Sequence, residues 1–245
     1  MVLGLVKRGF LTPGYSSGRD GTGIFECPGV KALVMTLLAF DFDGTLSDSE
    51  MTVLLGEKLD VADRMDEITE QAMNDEIAYA DSLRKRCALL EGLPEDDAQA
   101  AFDEVTLRPG TPRVLESLAE ADIYTVILTG GFKRGVETAL ESAGVDVDAV
   151  VANRLPVANG ELTGEVEGPL IEGTKDNALD VVTAVVGADM DETVAVGDGA
   201  NDLPMLEVAG LSVGFSPKPA VEPSCDVVVE SMGELYDLLE RENVL

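Results

Sequence analysis

The chain has 245 residues, 45% of them hydrophobic, which is material for one large domain or for a core domain with an insert. Its 47 acidic against 17 basic residues leave a net charge of −30, which excludes nucleic acid and anionic membrane surfaces as partners, because too little basic surface is present. Histidine is absent and the three cysteines are isolated, which excludes a Ser-His-Asp triad, a histidine metal site, a zinc site and a disulfide framework, and points to a reducing cytoplasm.

Residues 1–34 are Gly-rich, carry a small positive charge and lack periodicity, so they are expected to form a disordered extension, with Met35 as the natural start. From Thr36 the pattern alternates between strands and helices. Thr36 to Asp41 predicts a buried strand, and Glu50 to Glu91 a helical block ended by Gly92 and Pro94. A short helix follows over Glu95 to Val105, then one over Pro112 to Glu120. Ile123 to Leu128 predicts a strand, Phe132 to Ser142 a helix ended by Gly144, and Ala149 to Val151 a short strand. Leu155 to Val157 and Leu162 to Val166 flank Asn159-Gly160, a strong hairpin signal. A helix over Thr174 to Val186, a strand over Thr193 to Val196 and a helix from Leu203 come next. Short strands at Leu211 to Val213 and Asp226 to Val229 and a helix over Gly233 to Arg241 close the chain.

Apolar strands separated by helices predict an α/β fold, a doubly wound parallel sheet covered on both faces. The helical block after the first strand is too long for one crossover. It predicts a helical cap over 47–107, inserted between core segments 35–46 and 108–245. No stretch approaches the roughly 18 apolar residues of a membrane span. Self-repulsion at −30 is tolerable where concentrated salt screens it, so a salt-adapted protein is expected.

The candidate chemistry gathers at strand ends. Asp41 and Asp43 leave the first strand on one face, because residues i and i+2 of an extended chain share a side. Open α/β sheets bind ligands beyond the carboxyl ends of their strands. Thr129-Gly130-Gly131 follows the second strand and offers a hydroxyl and backbone N–H groups to an anion at a helix start. Gly197 to Asp202 follows a later strand and adds Asp198, Asn201 and Asp202. Lys175 opens a helix, where a cation opposes the macrodipole unless an anion is near. Converging carboxylates call for a hard cation such as Mg²⁺, and the whole set suits phosphoryl transfer to a carboxylate nucleophile. Phe215 and Lys218 are read as a packing and a surface residue.

These motifs in this order, Asp41-Phe42-Asp43-Gly44-Thr45, Thr129-Gly130-Gly131, Lys175 and Gly197-Asp198-Gly199-Ala200-Asn201-Asp202, resemble those of the haloacid dehalogenase-like phosphatases. Ser82-Leu83-Arg84-Lys85-Arg86 and Leu162 to Gly168 resemble the phosphoserine phosphatase branch, and the likeness runs over residues 36–230. The chain departs from that branch at Gly44 and Thr129, where Ser is common. The resemblance implies a phosphomonoesterase in serine synthesis, acting on a small phosphate ester through an aspartyl phosphate on Asp41, with Asp43 as acid and base. It implies Mg²⁺ on Asp41, the Asp43 carbonyl and Asp198, and phosphate on Thr129, Gly130 and Lys175, with Asn201 completing the substrate site. Asp202 would stand behind the metal or face Lys175, Glu50 would meet the substrate ammonium, and Arg86 its carboxylate. A phosphatase or phosphotransferase for another small metabolite, and a non-catalytic binding protein, are the alternatives.

Overall fold

A computed structural model describes residues 36–73 and 76–245. The extension expected over 1–34 and the start expected at Met35 lie outside the described residues.

The first strand, β1 (Leu37–Phe40), is apolar at every position and fully buried. It therefore belongs in the middle of a sheet. It pairs in parallel with β2 (Tyr124–Phe132) on one side and β6 (Thr193–Gly197) on the other. Adding β3 (Ala149–Asn153), β7 (Leu211–Phe215) and β8 (Val227–Val229) completes a six-stranded parallel sheet in the order β3-β2-β1-β6-β7-β8. The connection reverses direction between β1 and β6, which is the switch point where such sheets open a crevice.

Alternation along β1 sends Leu38 and Phe40 to one face and Leu37 and Ala39 to the other. The first pair packs with α5 (Thr111–Glu120), α6 (Lys133–Ala143) and α9 (Met232–Arg241), through residues such as Leu115, Val136 and Leu235. The second packs with α7 (Lys175–Val186) and α8 (Leu203–Val208), through Leu179, Val182 and Met205. This is the doubly wound α/β arrangement expected from the alternating pattern.

Four helices lie between β1 and β2: α1 (Met51–Glu57), α2 (Ala62–Met73), α3 (Tyr79–Ala88) and α4 (Glu95–Phe102). The single block expected over Glu50 to Glu91 is thus three helices, the first break lying where Asp60 takes φ +56°. The chain leaves and returns side by side. Arg108 N–H donates to the Leu46 carbonyl at 2.8 Å, and Ser47 Oγ to the Thr106 carbonyl at 2.8 Å. Asn159 and Gly160, both at positive φ, turn the hairpin of β4 (Val157–Ala158) and β5 (Glu161–Leu162). Gly92 N–H donates to the Leu162 carbonyl and Glu95 N–H to the Gly160 carbonyl, so the hairpin braces the loop between α3 and α4. Among the described residues no helix is long and apolar enough to cross a membrane.

Candidate active site

The carboxyl ends of β1, β2 and β6 face a cavity of about 630 Å³ roofed by α3. Asp41, Asp43, Glu50, Arg86, Thr129, Gly130, Asp198 and Asn201 all line it. Lys175 and Asp202 lie buried beneath its floor. The structure therefore brings all ten candidate residues to one place.

Lys175 Nζ donates to Asp41 Oδ1 at 2.6 Å and to Asp202 Oδ1 at 2.5 Å, with all three side chains buried. Burial alone would lower the lysine pKa, but the two carboxylates raise it above the ordinary lysine range, so the ammonium stays charged. That resolves its place at the first turn of α7: the anions it needs are within reach. The second oxygen of Asp202 accepts from the backbone N–H of Asp198 and Gly199 at 2.9 and 2.8 Å. Asp202 thereby sets both the lysine and the loop that carries Asp198.

Asp41 is pushed up to about 8 by burial and by the Asp202 carboxylate, while Lys175 pulls it back. Asp43 is held well above the usual carboxylate range by burial, then by Glu50 and Asp41. Its Oδ1 is buried without a hydrogen-bond partner. Asp198 is raised by burial and by Asp202, with Lys218 opposing. Glu50 opens onto the cavity, where partial desolvation raises its pKa.

Carboxylate oxygens of Asp41, Asp198 and Asp202 approach within 4.8 Å of one another. Both oxygens of Asp202 are already committed, whereas among the described residues the Asp198 carboxylate has only a 3.3 Å bond from Thr45 Oγ1 and a 3.4 Å ion pair with Lys218. Like charges packed this closely favour a bound cation, and the donor set is all oxygen, which suits Mg²⁺. Gly44 sits at φ +87°, and a Cβ there would stand 2.6 Å from Asp198 Oδ1, so the turn after β1 and the room for Asp198 both favour glycine.

On the phosphate side, Thr129 Oγ1 accepts from Gly131 N–H at 2.9 Å. The helix does not open directly at this motif as expected. β2 continues through Gly130 and Gly131 to Phe132, its register against β3 shifting between Thr129 and Phe132, and α6 starts at Lys133. Asn153, fully buried at the end of β3, donates to the Gly130 carbonyl at 2.9 Å and accepts from Leu170 N–H at 3.0 Å. It fixes the peptide that faces the cavity, and the sequence reading missed it because nothing local marks it. Lys218 also needs correction. Its side chain is half-exposed, yet it lines the cavity and pairs with Asp198 rather than serving only as surface.

Under the roof, Arg86 Nη1 donates to Thr52 Oγ1 at 3.0 Å, while its Nε is buried without a partner. A buried guanidinium with free donors is suited to a carboxylate.

The sequence profile of the haloacid dehalogenase-like hydrolases matches residues 38–207, and the chain belongs to that family. Its relatives narrow the class. It is 50% identical to a phosphoserine phosphatase of Halobacterium salinarum over 210 residues, 86% of this chain and 100% of that one. It is 35% identical to the phosphoserine phosphatase of Methanocaldococcus jannaschii, over 83% of this chain and 96% of the other. The fold superposes on a phospho-aspartyl intermediate analogue of phosphoserine phosphatase with a TM-score of 0.77 at 33% identity, covering 83% of this chain and 98% of that one. A substrate-bound phosphoserine phosphatase complex gives the same TM-score and identity, covering 84% and 98%.

Proposed function

We propose that this chain is a Mg²⁺-dependent phosphoserine phosphatase working through an aspartyl phosphate on Asp41. The observation that carries this is the pairing of two carboxylates from one strand end, one clamped by a buried lysine and the other with one oxygen buried and unbonded, beneath a buried guanidinium. The named relatives, one of them captured as a phospho-aspartyl analogue, support it.

Asp41 attacks phosphorus, so a P–O bond to its carboxylate forms as the bond to the serine oxygen breaks. Asp43, whose carboxyl burial and the nearby Glu50 and Asp41 charges hold well above the usual carboxylate range, gives its proton to the departing oxygen. The resulting carboxylate then takes a proton from the water that cleaves the aspartyl phosphate. Lys175, the Thr129 hydroxyl and the Gly130 N–H hold the phosphoryl oxygens, Asn201 faces them, and Asp202 keeps Lys175 charged and in place. Asp41, Asp198 and the backbone carbonyl of Asp43 would hold Mg²⁺. When bound, the ion neutralises charge on the phosphate and on the acidic cluster.

Glu50 and Arg86 supply opposite charges to the ammonium and carboxylate of phosphoserine. Helices 47–107 act as a cap that excludes bulk water during the reaction. A cytoplasmic setting suits the thiols: Cys87 and Cys225 are unpaired. A panel of phosphoserine, phosphothreonine, phosphoglycolate and sugar phosphates, with Mg²⁺ at several salt concentrations, tests the assignment. Phosphoserine should rank among the best by kcat/KM, and a low rank would overturn the substrate.

A further inference from the structure

The roles above leave one polar group over the phosphate side unused, the hydroxyl of Tyr79. Tyr79 is the first residue of α3 and lines the cavity with Asp41, Thr129 and Gly130. A Cβ built on Gly130 would stand 2.0 Å from Tyr79 Oη and 3.2 Å from Cζ. Only glycine lets the phenol come this close to the loop. The hydroxyl has no hydrogen-bond partner among the described residues, although Lys175, Arg86 and Asp41 all lie near enough to act on it electrostatically. Burial pushes its pKa up to about 12, which keeps the proton on oxygen and makes the group a donor.

We propose that Tyr79 Oη donates a hydrogen bond to a phosphoryl oxygen of the substrate held at Thr129 and Gly130. The inference rests on the phosphatase assignment and adds a phosphate contact to it. Tyr79 and Arg86 are seven residues apart on α3 and share a face of the helix. One helix then carries a neutral donor for the phosphate end of the substrate and a cation for the carboxylate end. Seating α3 reads both ends at once. A phenol also adds a donor without adding positive charge next to Lys175, which must remain bonded to Asp41.

Tyr79→Phe removes one oxygen and keeps the ring. In Mg²⁺ and high salt, the affinity for inorganic phosphate should fall about tenfold or more, the usual worth of a hydrogen bond to a charged group. The kcat/KM for phosphoserine and for p-nitrophenyl phosphate should fall by a similar factor. Inhibition by L-serine, which has no phosphoryl group, should stay within about twofold. Tyr79→Leu should show the same split between phosphate and L-serine, which covers the case of a poorly folded Phe variant. Unchanged phosphate affinity overturns the proposal. So does an equal loss of phosphate and L-serine binding, which would make Tyr79 a packing residue. A wild-type protein that binds phosphate but ignores phosphoserine would sink the substrate assignment and leave the phosphate comparison intact.

Discussion

Asp41 and Asp43 leave the same strand end but are held in opposite ways: Lys175 bonds Asp41 Oδ1 at 2.6 Å, whereas Asp43 Oδ1 is buried with no partner. The clamped group is fixed for attack, and the free oxygen of Asp43 can exchange a proton. Asp41→Asn should therefore abolish turnover while leaving the fold intact. Asp43→Asn should lower kcat for phosphoserine by about 10²-fold or more, the usual worth of a positioned acid. With p-nitrophenyl phosphate, whose leaving group needs no proton, Asp43→Asn should still release a burst of nitrophenolate and then stall. Stopped-flow absorbance reads the burst, and its absence would remove Asp43 from the second half of the reaction.

Asp202 is fully buried and spends one oxygen on Lys175 and the other on two backbone N–H groups. An amide in its place turns one acceptor into a donor, facing either a charged ammonium or two N–H groups. Asp202→Asn should cost about 3–5 kcal/mol of stability, as expected for breaking a buried ion pair from one side. Chemical denaturation checks this, and a loss below about 1 kcal/mol would mean the network relaxes around the amide.

The acidic cluster makes the metal-free protein sensitive to pH. Asp41 has a folded pKa of about 8 against 3.8 unfolded, and Asp43, Asp198 and Glu50 are shifted in the same direction. Between these values the folded chain binds more protons than the unfolded one, so stability is greatest at the acid end and declines as pH rises through the folded pKa. Lys175 is shifted upward too, but its contribution is fully present below its unfolded value and is constant over this range. After EDTA treatment, Tm at fixed high salt should fall from pH 5 to pH 8. Mg²⁺ should restore it most at pH 8, where it replaces absent protons. Asp41→Asn should flatten the slope, which separates this cluster from the general surface charge.

Most of this site was legible from residue types at strand ends. A parallel sheet brings the carboxyl ends of β1, β2 and β6 together, so Asp41, Thr129 and Asp198 needed only correct strand assignments. What stayed hidden depends on distance in the chain. Asn153 acts on Gly130 from 23 positions away, and Lys218 on Asp198 through a loop with no distinctive pattern. The break in the helical block at Asp60 was hidden for another reason: Leu59 and Val61 keep the block apolar while the backbone turns left-handed between them. The hairpin at Asn159-Gly160 was clear, but its strands are only two residues each, and Leu162 pairs across it while also exchanging backbone hydrogen bonds with the loop after α3, which no local pattern announces.

Net charge supplies a separate expectation. The described ion pairs are mostly exposed, such as Arg64 with Glu67 and Arg154 with Glu167, and contribute little. The excess of acidic over basic residues is thus left to repel itself, and the relative from Halobacterium salinarum fits a salt-adapted chain. Tm should climb from about 0.1 M to 1 M NaCl, as the Debye length drops from about 10 Å to about 3 Å. A Tm independent of salt over that span would show that the charges are too dispersed to matter.

Arg86 offers the sharpest test of substrate choice. It is buried, its Nη1 donates to Thr52 Oγ1, and its Nε is left unbonded beside the cavity. A substrate carboxylate would meet those free donors in a bidentate manner. Arg86→Ala should raise KM for phosphoserine by about 10- to 100-fold, the worth of a charge-assisted hydrogen bond. For p-nitrophenyl phosphate, which has no carboxylate, KM should change little. Arg86→Lys keeps the charge but loses the fork, so it should recover only part of the loss. Parallel Michaelis–Menten measurements on both substrates decide the matter: equal KM increases would make Arg86 a brace for α1 and α3 rather than a reader of the substrate.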